Sequence, residues 1–407
     1  MRILSVFFLF MIFTIPNAFT VLKYIFIPVY LLCFFIYSKK YSLKPFQPHK
    51  YIIYFVTFNL LFIVIGALNG ANQKAMFDNF KLLIIYPIIA NIVLFAFSHF
   101  LSLYDFLKIS LISMFTVSVF GFLLFLGIII NVQFLPENLL SNLNIINDAS
   151  SGSFRLNFVG LNSLFILFPI SLSVFFINNR IFRHKILYYF IILFSFFIIL
   201  LTGRRALAIV ALLSPILFLF YAYVHDLIKL KKIILILFFS VSIAFLILFY
   251  FYFLQSNFTG SDLKLIQRIG DEFSEDSTRL NQLPFLFDYF IHHPWGSGFG
   301  VILPNSELFI RDSVNKWNFE LTYLQLICNT GVLGILFYFF LFNFLFRKLR
   351  IYFYKKTDIS IITCSSFNGL QLFLLASFSN PYISSFESIF IIFIPLFFIY
   401  NHKKFNY

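Results

Sequence analysis

The dominant pattern along the chain is a series of long apolar runs separated by short polar segments. A transmembrane helix needs roughly 17 to 25 apolar residues, and twelve runs approach or reach this length. Their predicted limits are 3–19, 21–37, 51–68, 80–97, 109–130, 157–177, 186–202, 205–224, 233–254, 321–346, 359–378 and 386–401. The pattern predicts an all-α polytopic membrane protein with about 12 transmembrane helices.

The first two runs are less regular than the others, because Pro16 and Asn17 interrupt them. The first run also has the length and the basic start of a secretion signal. A second apolar run follows it at once, and the residues between them make a poor cleavage site. We therefore expect an uncleaved first span.

One polar segment, residues 255–320, is large and carries nine of the sixteen acidic residues. Its stretch 261–273 places Leu263, Ile266, Ile269 and Phe273 on one side at helical spacing, which predicts an amphipathic helix lying on the membrane or over a cavity. A second helix should follow and end at Pro294. The predicted organisation is a membrane bundle with spans one to nine (1–254), a large external loop with amphipathic helices (255–320), and spans ten to twelve (321–407).

Lysine and arginine are distributed unequally between the two predicted sides. With the amino terminus in the cytoplasm, nineteen of the 30 basic residues fall on the cytoplasmic side and six in the short external segments. This is the positive-inside pattern. It predicts that both termini are cytoplasmic and that the large loop is external.

The composition is that of a protein embedded in a bilayer, and it argues against a soluble protein and against a nucleic-acid-binding protein. Apolar residues make up 61% of the chain and charged residues 11%, with a mean hydropathy of +0.93, whereas soluble domains carry about 25% charged residues. The net charge of +14 follows from the topology, so no nucleic-acid partner is expected. Cys33, Cys328 and Cys364 lie in apolar runs with no metal-site spacing.

Arg204 and Arg205 do not fit the charge rule, because they fall side by side at the external end of a span. Both side chains could simply reach the lipid headgroups. The turn "TGRR" before a helix start also suits anion binding, since free backbone N–H groups, the helix dipole and a guanidinium fork all favour phosphate.

Three further candidates lie in or beside the large loop. Glu320 stands where water meets the tenth span and is either a solvated edge residue or a half-desolvated general base. His292 and His293 are either structural or alternative bases. The glycines at 296, 298 and 300 follow no strand, which argues against a dinucleotide-binding loop.

Four stretches in order resemble the O-antigen polymerase and O-antigen ligase family of bacterial surface-polysaccharide enzymes. They are "FRLNFVGLNSLFILFPISL", "LLTGRRALA", "STRLNQLPFLFDYFIHHPWGSGFG" and "YLQLICNTGVLGILFY", within residues 154–346. The matching positions are Arg155, Gly160, Asn162, Arg205, Arg279, Pro294, Gly296 and Gly298. Three positions depart from the family pattern: Arg204 and Ala206 replace a serine and a glycine, and Glu320 stands where ligases and many relatives carry histidine.

The resemblance implies a polymerase that transfers a glycan from polyprenyl diphosphate to a sugar hydroxyl of another lipid-linked repeat unit. The reaction would occur at the outer face of a bacterial plasma (inner) membrane. It implies catalytic roles for Arg205, Arg279 and Glu320. Substrate binding would fall to Arg155, Arg204, Asn162, His292, His293, Gly296 and Gly298. No metal, metal ligand or cofactor is expected. The expected partners are the lipid-linked oligosaccharide, membrane lipid, a chain-length regulator and a flippase.

Two alternatives stay open. A ligase would use the same donor and transfer the glycan to lipid A core. A lipid-linked oligosaccharide flippase is the non-enzyme alternative, but transporters usually carry charges near the midplane, whereas these spans hold only amides there, such as Asn59, Asn91 and Gln371.

Overall fold

The computed structural model describes the following residues: 1–15, 20–41, 46, 49–130, 146–147, 156–157, 159–177, 184–202, 204–228, 277–304, 317, 319, 321–353, 357–378 and 386–404. The predicted ninth span at 233–254 and the predicted amphipathic helix at 261–273 lie outside these residues.

Thirteen α-helices occur within the described part of the chain. They are α1 (Arg2–Thr14), α2 (Thr20–Lys40), α3 (Lys50–Leu68), α4 (Gln73–Phe80), α5 (Tyr86–Phe100), α6 (Leu103–Ile130), α7 (Leu164–Ser171), α8 (Lys185–Leu201), α9 (Arg205–Val224), α10 (Ser277–His292), α11 (Thr322–Arg350), α12 (Asp358–Ala376) and α13 (Phe386–Lys404). A π-helical turn, Lys81–Ile85, joins α4 to α5, and 3-10 helices Val159–Ser163 and Leu172–Phe175 flank α7. Two short antiparallel strands, β1 (Ile146–Asn147) and β2 (Leu156–Asn157), pair with each other.

The chain is a multi-pass helical membrane protein. Six helical stretches in the described residues are long and apolar enough to cross a bilayer: Lys50–Leu68, Gln73–Phe100, Leu103–Gly127, Ala206–Val224, Thr322–Arg350 and Asp358–Ala376. Shorter apolar helices occur at Arg2–Thr14, Gly160–Phe175, Lys185–Leu201 and Ser388–Asn401. The fourth predicted span begins earlier than expected, because the polar helix α4 continues through the π-helical turn into α5.

The most enclosed of the candidate spans is α12, which packs between α7 and α9. α6 contacts α1, α7 and α8, and α13 lies along α5. The core is rich in phenylalanine, and buried amides join some helices across it. Tyr338 donates a hydrogen bond of 2.6 Å to Asn59 Oδ1 between α11 and α3, and Tyr400 donates one of 2.8 Å to Asn91 Oδ1 between α13 and α5.

Contacts between helix ends show which ends lie together on each of the two faces of the helical bundle. On the Arg2 face, Arg2 pairs with Asp105 (2.8 Å), Tyr104 donates to Asp358 (3.5 Å), and the ring of His49 contacts those of Phe344 and Tyr400. The first two contacts group the starts of α1, α6 and α12, and the last two group the start of α3 with the ends of α11 and α13. Ser360 at the start of α12 donates to the carbonyl of Tyr352 just after α11 (2.9 Å), which links the two groups. The start of α1 and the end of α13 therefore lie on the same face.

The opposite face is called the Arg204 face. α1 ends there, because the carbonyl of Thr14 lies beside Gly160. Tyr323 at the start of α11 donates to the carbonyl of Leu374 near the end of α12. Asn69, just after α3, donates to the carbonyl of Ser297 (2.8 Å). The helices thus alternate in direction through the bundle, as successive membrane spans must.

Candidate functional site

Two of the predicted site residues, Asn162 and Arg204, touch each other on the Arg204 face. Arg204 Nη1 donates a hydrogen bond of 2.9 Å to Asn162 Oδ1, and both side chains are half-buried. Asn162 lies in the 3-10 helix before α7, and Arg204 immediately precedes α9. The contact joins positions 42 residues apart and fixes one edge of the guanidinium.

The short connection between α8 and α9 holds Arg204 in place. Thr202 Oγ1 donates to the carbonyl of Ile199 (2.7 Å), which completes the last turn of α8. Arg204 has extended backbone angles (φ −85°, ψ 106°), and its carbonyl accepts the amide of Ala208 at 3.0 Å. Its side chain makes no capping bond to the helix start. The first amides of α9 and the positive end of its dipole therefore lie beside a guanidinium, which is an anion-attracting combination.

The 3-10 helix that carries Asn162 is pressed against α1. A Cβ at Gly160 would lie 2.8 Å from the carbonyl oxygen of Thr14 and 2.9 Å from a methyl group of Val117. Such distances leave no space for a side chain. The glycine that the family pattern expects at this position is thus required by packing, two residues before Asn162.

The segment Pro294–Gly300 follows α10 and inserts into a break in α11. Gly331 interrupts α11 with φ 63° and ψ −161°. The amides of Ser297 and Gly298 donate to the carbonyls of Cys328 (3.1 Å) and Asn329 (2.8 Å), which the break leaves without their usual helical donors. In return, Val332 donates to the carbonyl of Pro294 (2.9 Å). The break and the inserted segment therefore satisfy each other's backbone groups.

The same segment also contacts α3 and α4. Phe299 donates to the carbonyl of Phe62 (2.9 Å), and Asn72 donates to the carbonyl of Gly300 (3.0 Å). A Cβ at Gly298 would lie 2.1 Å from the amide nitrogen of Gly66. This crossing of two glycines lets the backbones touch and fixes the end of α10 to the bundle.

Gly296 and Gly298, two predicted substrate-binding positions, have φ values of 81° and 88°, which favour glycine. Their amides already donate within the protein, to His293 and Asn329. Substrate contact by these residues stays a prediction. The structure gives both a packing role that the sequence reasoning missed.

His292 ends α10, His293 follows it, and both side chains are exposed. His292 Nδ1 lies 2.9 Å from the Asp288 carbonyl and 3.6 Å from the Asp288 carboxylate. The ring of His293 stacks on Tyr289 with centroids 4.3 Å apart. Burial raises the pKa of Tyr289 although a hydrogen bond with Ser297 lowers it, so Tyr289 stays a neutral phenol near pH 7.

Four predicted residues are described only in part or not at all. The backbone of Arg205 is the first residue of α9 and that of Arg279 lies in the first turn of α10, but their side chains are outside the described atoms. Arg155 and Glu320 lie outside the described residues. Their predicted roles stay predictions.

Sequence reasoning missed the residues that contact the segment Pro294–Gly300 and hold it against the bundle. Gly66, Asn69, Asn72 and Gly331 make these contacts. The available signals were the turn sequence "LNGANQ" and the glycine within "CNTGVLG". Within the residues that the structure describes, no group of three or more His, Cys, Asp or Glu side chains could hold a metal ion.

Comparison with known families gives a match to the O-antigen ligase family over residues 190–339. The matched region covers most of α8, all of α9 and α10, and the first part of α11, including the Gly331 break. Comparison with curated proteins finds no significant match. Members of the matched family are glycosyltransferase-like enzymes. The match supports the resemblance to the O-antigen polymerase and ligase family that the four sequence stretches carry.

Proposed function

We propose that the protein polymerises lipid-linked oligosaccharide repeat units of an O-antigen, capsule or exopolysaccharide. A sugar hydroxyl of one repeat unit attacks the anomeric carbon of the glycan on a second polyprenyl diphosphate. The new C–O glycosidic bond forms as the bond between that carbon and the diphosphate oxygen breaks. The hydroxyl proton passes to a base, and the polyprenyl diphosphate leaves with the bonding electrons.

The observation that carries this proposal is the Arg204–Asn162 contact at the start of α9. A departing diphosphate develops negative charge, and preset positive groups stabilise that charge without reorganisation. The Asn162 bond holds the guanidinium of Arg204 in one orientation beside the positive end of the α9 dipole. An arginine placed only to reach lipid headgroups does not require such a bond.

In this proposal Arg205 and Arg279 hold the diphosphate, and Arg155 and Arg204 support them. Glu320 accepts the hydroxyl proton. His292, His293, Asn162, Gly296 and Gly298 shape the binding site for the sugars. Arginine would stabilise the negative charge of the diphosphate, as a metal ion does in other transferases. We therefore expect polymer formation to persist in the presence of a chelator. Complete loss of polymer on chelation would contradict this part of the proposal.

We further propose twelve spans in the bacterial plasma membrane, with the Arg2 face in the cytoplasm and residues 255–320 forming the external loop between the bundles 1–254 and 321–407. The end of α2 also belongs to the Arg2 face, because the ring of Tyr37 contacts that of Phe100 just before α6. The ends of α2 and α11 carry Lys39, Lys40, Arg347 and Lys348, which supports this orientation through the positive-inside rule. The donor would then reach the Arg204 face from the outer leaflet. A chain-length regulator and a flippase would act with it.

A ligase is the second candidate, and the match to the O-antigen ligase family over residues 190–339 favours it. The glutamate at position 320, where ligases and many relatives carry histidine, argues against a ligase. Surface glycan from a strain lacking the gene distinguishes them on a gel. A polymerase-null strain shows single repeats on lipid A core, whereas a ligase-null strain shows none.

Substitution tests the proposed charges in that strain. Arg205→Ala and Arg279→Ala should each abolish long-chain polymer at normal protein levels, because losing one preset charge contact costs on the order of 3 kcal/mol, or about a hundredfold in rate. Arg347→Ala, on the Arg2 face, is the matched control and should leave the ladder unchanged. Normal ladders from the Arg205 and Arg279 variants would contradict the assignment.

A further inference from the structure

The helix α10 has three distinct sides. Gln282 and Leu286 are fully buried against the protein. Leu283, Phe287 and Ile291, spaced four residues apart, are 53%, 55% and 57% exposed. At about 100° per residue, these three form one continuous stripe, which we call the α10 stripe.

The third side of α10 is polar. Asn281, Asp288 and His292 are exposed, and the helical spacing places them beside the α10 stripe rather than within it. Asp288 and His292 also lie close to each other (3.6 Å). A helix with one side against protein, one apolar and exposed, and one polar and exposed is suited to the boundary between water and lipid.

The contacts after α10 fix its depth relative to a membrane span. About 20 residues cross the hydrocarbon of a bilayer. Counted backwards from Arg347, the first of the charged residues that end α11, a crossing of that length begins near Ile327. Asn329 and Val332, which bind Gly298 and Pro294, lie within about two turns of that point. The end of α10 is thereby held at the membrane boundary.

The apolar exposed surface also continues from α10 onto a membrane span. Trp295, which follows the helix, is 71% exposed and is adjacent to Pro294, the acceptor for Val332. Val332, Ile335 and Leu336 on α11 are themselves exposed, as lipid-facing residues of a span are. Tryptophan is enriched where spans meet the headgroups. One surface thus runs from α11 through Trp295 to the α10 stripe.

We propose that α10 is an interfacial helix whose stripe of Leu283, Phe287 and Ile291, together with Trp295, is embedded in the bilayer leaflet at the Arg204 face. The occupant of this surface is membrane lipid. The inference rests on α10, Trp295 and α11, and it holds whether the enzyme is a polymerase or a ligase.

Tryptophan fluorescence of the full chain in lipid nanodiscs tests the proposal. The chain has two tryptophans, and the other, Trp317, is only 7% exposed. In the variant Trp317→Phe, nitroxide-labelled phosphatidylcholine should quench Trp295 strongly and aqueous iodide should not. Strong iodide quenching without lipid quenching would overturn the proposal. If Trp317→Phe does not fold, the difference between wild type and Trp295→Phe gives the same signal.

Cysteine labelling separates lipid from other occupants. Phe287→Cys and Asp288→Cys are a matched pair on the two exposed sides of one helical turn. A membrane-impermeant maleimide should label Asp288→Cys and fail to label Phe287→Cys, while a nitroxide lipid relaxes a spin label attached at position 287. Equal labelling of both variants would overturn the proposal. Protection of position 287 without lipid contact would also overturn it, because another protein surface would then cover the stripe.

Discussion

Replacing Gly298 by alanine is the most stringent test of how the segment Pro294–Gly300 packs against α3. A Cβ there would lie 2.1 Å from the Gly66 amide nitrogen and 2.4 Å from the Gly66 Cα. Both are backbone atoms, so no side-chain rotation relieves the contact. The α3 backbone would have to separate from the segment.

The magnitude has two parts. Alanine at a φ of 88° costs roughly 1–2 kcal/mol, and overpacking adds about 1–3 kcal/mol. Gly70→Ala isolates the first part, since Gly70 has a φ of 75° and no atom within 4 Å of an added Cβ. The two variants should therefore differ by about 1–3 kcal/mol in unfolding free energy.

Thermal unfolding of both purified variants in the same detergent measures this difference. For a chain of this size about 1 °C per kcal/mol is expected, so Gly298→Ala should melt about 1–3 °C below Gly70→Ala. Equal melting temperatures would refute the close backbone contact.

Two further predictions concern buried hydrogen bonds and helix starts. Tyr338→Phe leaves Asn59 Oδ1 without its donor inside the bundle, so thermal unfolding should show a loss of about 1–3 kcal/mol; an unchanged melting temperature would contradict the contact. Asn72→Ala removes the acceptor for the amides of Lys74 and Ala75 and should cost about 1 kcal/mol, whereas Asn72→Ser should retain most of the stability. Equal losses from the two Asn72 variants would contradict the capping role.

The sequence identified most of the helices because an apolar run of span length has few alternatives in a bilayer. The first run is predicted to extend to residue 19 with Pro16 and Asn17 inside it, but α1 ends at Thr14, and α2 starts at Thr20, close to the predicted residue 21. The interior limits were less accurate where backbone geometry changes. α4 and α5 continue across a π-helical turn, and α7 lies between two 3-10 helices. The hydrophobic pattern of the sequence does not distinguish these helix types from an α-helix.

The candidate site was predictable only in part. Asn162 came from resemblance to a family and Arg204 from its exception to the charge rule, and their direct contact is a finding of the structure. The close approaches of Gly298 to Gly66 and of Gly296 to Gly331 link positions far apart in sequence. Glycine carries no side-chain signal, so a backbone crossing of this kind cannot be read from polarity or periodicity.

Reconstitution tests the central claim, that arginines at the Arg204 face support transfer between two lipid-linked repeat units. The purified protein in liposomes would receive polyprenyl-diphosphate-linked repeat units as the sole substrate, and products would be separated by length. The account predicts longer lipid-linked glycans from the wild type and none from Arg205→Ala or Arg279→Ala. Products that form only when lipid A core is added, or at equal rates in the variants, would contradict it.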